Sequence, residues 1–155
     1  MNWRLAGLMP VLTATGADVT RSADVTRSAA GRLAGEMALV PTTFRGATWT
    51  PGADDDHAVA TWLIDDQQES ADFSVGSDGR LLGVVMQRWG NPNGEPFGRY
   101  PFGVAIEAEE TFAGVTIGSQ LRAGWWWGTD RQSEGEFFRA TITGAELPRP
   151  GTGNH

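Results

Sequence analysis

The spacing of apolar positions along this chain changes once, and the change divides it into two kinds of structure. Over 24–40, Val25, Ala29, Leu33, Met37 and Val40 recur at helical spacing and line one face of a helix. Asp24 suits its N-cap, and Pro41 stops it near Val40. From about 57 to 144 the period is two. Ala58, Ala60, Trp62 and Ile64 alternate with His57, Val59, Thr61 and Leu63, and Ala71, Phe73 and Val75 alternate with Ser70, Asp72 and Ser74. Residues 51–56 and 65–67 are acidic turns, and GSDG at 76–79 is a tight hairpin signal. Residues 81–89 begin apolar on both faces, as a central strand does, and NPNGEP at 91–96 is a long mobile loop. Tyr100, Phe102, Val104, Ile106, Ala108 and Phe112 then alternate with Gly103, Ala105, Glu107 and Glu109 in the longest regular strand. A last hairpin closes the pattern. Its first strand sets Val115, Ile117, Ser119, Leu121, Ala123, Trp125 and Trp127 on one face and Trp126 on the other. Its return strand sets Phe138, Ala140 and Ile142 against Phe137, Arg139 and Thr141.

One helix followed by about six sequential antiparallel strands is a mainly β fold. Such a meander must hide its apolar face, which predicts a barrel or half-barrel around or beside the helix. Residues 1–147 are expected to form a single domain, with 148–155 a flexible tail. Two features lie outside the pattern. Residues 1–15 are apolar but broken by Gly7 and Pro10, and read as an irregular edge strand. ADVTRS at 17–22 is copied at once at 23–28. Six residues turn a helix by about 600°, which places Val19 about 120° from the face of Val25. The first copy is therefore expected to bulge or lie in the loop before the helix.

Composition narrows the function. A formal net charge of −7 argues against nucleic acid and anionic membranes as partners. All twelve basic residues are arginine, so lysine nucleophiles and Schiff bases are excluded. The absence of cysteine excludes disulfides, thiolate metal sites and cysteine catalysis. No apolar run reaches membrane-spanning length and no signal-peptide pattern opens the chain, so the expected location is cytoplasmic. Seven tryptophans in 155 residues suit pocket walls and interfaces, although tryptophan is more often core.

The segment RAGWWWGTDRQSEGEFFRATI at 122–142 resembles the C-terminal part of an uncharacterised bacterial family of unknown function, through its GWxxGTDR and EGEFFRATI motifs. ADVTRSAAGRLAGE at 23–36 and RWG to PFG at 88–103 are similar to further pieces of it. The resemblance implies an additional N-terminal portion in longer relatives, and no reaction. Gly118 stands where the resemblance implies proline, and Gln132 where it implies tryptophan.

Several groups carry chemistry. His57 follows three aspartates and is a candidate base, the plainer reading being a solvated acidic turn. Glu110 lies in phase with the aromatic row of its strand, while Glu107 and Glu109 keep the other face wet. Asp130, Arg131, Glu134, Glu136 and Arg139 crowd the hairpin end, either as a polar cap on a tryptophan-lined cavity or as a turn stapled by its own ion pairs. The expected function is binding of a small apolar or amphipathic ligand in a barrel cavity lined by Trp125, Trp127, Tyr100, Phe102, Arg131 and Phe138. The alternative is a metal-free acid–base hydrolase or isomerase drawing on Glu110, Asp130, Glu134 and His57. No metal and no cofactor is expected. A homodimer is expected, through a sheet edge that an N-terminal portion would cover.

Overall fold

A computed structural model describes residues 2–5, 9–13, 19–36, 46–64 and 67–145, with side chains from Asp24 onward except those of Ala34 and Ile64. Its centre is a seven-stranded antiparallel sheet in strict sequence order. The strands are β3 (Thr48–Pro51), β4 (His57–Ile64), β5 (Gln67–Val75), β6 (Leu81–Gly90), β7 (Gly98–Phe112), β8 (Val115–Trp125) and β9 (Glu136–Thr141). The sheet is mainly β as expected, but it does not close. Among the described strands β3 and β9 each pair on one side only, so of the expected barrel or half-barrel the closed form does not occur and the sheet is an open meander. No described helix is long and apolar enough to cross a membrane.

The period-two pattern holds across most of the sheet. Ladder partners Ala60 and Ala71, Ala71 and Met86, Met86 and Phe102, and Phe102 and Trp125 place one row of side chains on a common inner face. That face is filled: Trp62, Phe73, Val84, Met86, Phe102 and Ala123 are buried in one cluster. Gly76 and Gly79 close the β5–β6 turn, with Gly79 at φ 81° and a Gly76 N–H bond to Arg80. The loop at 91–96 is not wholly irregular, since Pro92–Gly94 forms one 3-10 turn.

Helix α1 (Val19–Glu36) lies on the inner face across β6 and β5. It begins five residues before the expected N-cap, so Val19 to Ser22 of the first ADVTRS copy are helical and the expected bulge is absent. Extending a nucleated helix is cheap, and poor alignment with the packed face does not stop it. The expected helix end at 37–40, the turn at 65–66 and the tail at 148–155 lie outside the described residues. At the N-terminus, β1 (Asn2–Leu5) and β2 (Met9–Thr13) pair with each other as a two-stranded ribbon. They are two short strands and not the single edge strand expected.

Candidate functional site

Near the β6–β7 loop the inner face carries a group of aromatic rings with an arginine among them. Arg88 lies on β6 in phase with the buried Val84 and Met86, and is only 8% exposed. Its guanidinium carbon sits 4.7 Å from the Phe102 ring centre and 4.8 Å from that of Trp125. Those two rings meet edge-on, 5.2 Å apart. Phe137 stands 6.2 Å from Phe102 and is 62% exposed, so the outer wall of the group reaches the surface. Glycines make room for this packing. Trp125 lies across Gly90, where a Cβ would come within 2.5 Å of the ring, and α1 sets Gly31 against the Arg88 stem, where a Cβ would come within 2.9 Å. Gly35, one turn on, faces Phe102 and Met86.

Among the described residues Arg88 has no acceptor: no hydrogen bond or ion pair joins it to another of them, and its Nε is fully buried without a partner. The charges around it are on α1, where Arg32 and Glu36 are bound to each other at 2.6 Å. Burial pushes the Arg88 pKa down to about 10; the Arg32 charge acts in the same direction and Glu36 opposes it. The group stays cationic at neutral pH at a cost of about 3 kcal/mol. Glu69 on β5 shows how the chain treats a buried charge when it supplies the partner. That carboxylate, 1% exposed, takes two N–H bonds from Arg99, at 2.9 and 3.1 Å.

Some of the residues expected to line the site meet here. Trp125 and Phe102 share the inner face, and Phe138 packs against the same core. Tyr100 is half-buried and donates its O–H to the Pro96 carbonyl at 2.7 Å. Trp127 is elsewhere. The strand ends at Trp125 because Trp126 takes a left-handed backbone, φ 52°, and the next residue emerges on the outer face. There the Trp127 ring lies flat on Gly103, where a Cβ would come within 2.1 Å, with the Arg122 guanidinium 5.5 Å from it. Trp126 itself is 4% exposed beneath the turn. Arg131 covers the Trp126 ring at 3.9 Å and pairs with Glu134 and Glu95 at 3.1 and 3.3 Å. The hairpin end, with the short helix α2 (Gln132–Gly135), is therefore a stapled turn and presents no arginine to a cavity.

The four acid–base candidates are dispersed. His57 opens β4 in an exposed turn, its Nδ1 2.6 Å from Asp54. That bond holds the His57 pKa above its usual value and the Asp54 pKa below. Glu110 is exposed on β7, separated from His57 by β5 and β6; Asp130 is exposed, and Glu134 is held by Arg131. No cluster of three or more metal-ligating side chains occurs among the described residues. An open groove of about 260 Å³ crosses β7 to β9, lined by Glu107, Gln120, Leu121, Arg139, Ala140 and Thr141. It contains none of the aromatic group, and its arginine is bound to Glu136 at 2.6 Å. Being shallow, polar and internally paired, it offers a ligand less than the Arg88 cluster does.

A family model matches residues 1–147, described as a family of unknown function, DUF6920. The chain belongs to that family. No curated protein and no solved structure matches it. The description of the DUF6920 family assigns no reaction, so the reading of the site rests on its residues. Arg88 was within reach of sequence inspection: it keeps the phase of Val84 and Met86, so an arginine occupies an inward position. What alternation could not show is that no carboxylate among the described residues would bond to it.

Proposed function

We propose that this protein binds a small amphipathic molecule at the aromatic end of its inner face, with the apolar body against Trp125, Phe102 and Phe137. The observation that carries the reading is the exposure of Phe137, 62%, next to half-buried Trp125 and buried Phe102 on the inner face. The ligand sits at this rim and not in a hollow interior, because Trp62, Phe73 and Met86 fill the centre of the sheet.

Intrinsic tryptophan fluorescence titrated with straight-chain amphiphiles tests it. Trp125→Ala is expected to weaken binding by about 1–3 kcal/mol. Trp127→Ala, on the opposite face, should leave affinity unchanged. Equal losses in the two variants would place the ligand elsewhere.

A further inference from the structure

We infer that Arg88 is the anchor for an acidic head group, and that the molecule bound is an amphipathic monocarboxylic acid. This rests on the binding reading above and adds the class of ligand. The aromatic faces of Phe102 and Trp125 stabilise the positive charge of Arg88 but offer no lone pair to its five N–H donors. As a packing piece the residue is poorly chosen. A methionine of similar length would fill the space under Gly31 without the desolvation penalty. A buried cation without a counter-charge is accounted for when the counter-charge arrives with the ligand.

Charge balance selects the head group. Arg32 and Glu36 pair with each other beside the site, and among the described residues no carboxylate bonds to Arg88, which favours a head group with a single negative charge. A carboxylate supplies that charge and accepts two N–H bonds from a guanidinium, the geometry that Arg99 and Glu69 adopt in this same sheet. A doubly charged phosphate would leave an excess negative charge near Glu36. The rings of Trp125, Phe102 and Phe137 then take the apolar part.

The test uses the full chain and three ten-carbon probes, decanoate, 1-decanol and decyl phosphate, at about pH 8, where the carboxylate is fully ionised. Wild type should bind decanoate at least about ten-fold more tightly than decanol, as a charge-assisted pair implies. In Arg88→Met that preference should vanish while decanol affinity is kept, and Arg88→Lys should retain part of it. Thermal melts of both variants establish that they are folded. Equal affinity of wild type for decanoate and decanol would overturn the head-group assignment and leave the amphiphile reading standing. A preference that survives in Arg88→Met would overturn Arg88 as the anchor. Tighter binding of decyl phosphate than decanoate would overturn the carboxylate class. No binding of any probe would overturn the amphiphile reading, and this inference with it.

Discussion

Holding the Arg88 guanidinium charged beneath α1 works against the fold, and Arg88→Met is expected to raise stability at neutral pH by about 1–3 kcal/mol. The sign follows from linkage. A base whose folded pKa is lowered binds its proton more weakly in the folded state, so the fold is penalised wherever the group is protonated. The gain in Arg88→Met should therefore be constant below about pH 10 and shrink at higher pH, as the native guanidinium deprotonates. Urea unfolding of both proteins at neutral and strongly alkaline pH measures it; a loss of stability at neutral pH would show that the ring contacts outweigh desolvation. Trp126 carries the opposite load. Almost fully buried, it should cost about 3–5 kcal/mol of folding free energy when changed to alanine, read from the urea midpoint. Alternation places Trp126 on the wetter face and pairs Trp125 with Trp127. The left-handed turn at Trp126 reverses both assignments, and a bulky tryptophan is a residue from which no left-handed φ is expected.

At the scale of elements, strand placement was legible because, apart from one shift between Ser74 and Val75, ladder partners keep the period of two from β4 to β7, and the in-phase residues Ala60, Trp62, Phe73, Met86 and Phe102 are all buried. Legibility fails at irregularities. Between Ile106 and Ala108 the β7 strand gains a residue against β8, and β8 regains it between Gln120 and Gly118. Counting by twos from Phe102 therefore does not carry to Glu110, which is exposed and not part of the aromatic row. The start of α1 departs from the pattern for another reason: the face of the first ADVTRS copy predicts against a helix there, whereas helix extension needs only acceptable residues. The described contacts of α1 with the sheet begin at Asp24, whose carboxylate accepts the Trp89 N–H at 3.2 Å, and at Arg27, 5.1 Å above the Trp89 ring. Deletion of 17–22 leaves those contacts intact and should change the thermal midpoint by less than about 2 °C. A drop of several degrees would mean that the first copy packs.

For the whole molecule the deciding feature is the open sheet. Among the described strands β9 has a neighbour on one side only and bears exposed Phe137, and β3 at the other end is exposed along its whole length. Unpaired edges recruit partners. Light scattering at micromolar concentration is expected to report about twice the 16.6 kDa chain mass, and a single-chain mass across dilution would rule the dimer out. The openness also bears on how the chain folds. Every ladder in the large sheet joins neighbours in sequence, so each strand can add to a hairpin already made, and each step closes only a short loop. Closing the sheet as a barrel would have required β3 to meet β9, the most distant pairing available to it, and the entropy of that closure would fall on the slowest step of folding. An unclosed meander avoids that search: its strands can zip together in the order in which the ribosome delivers them.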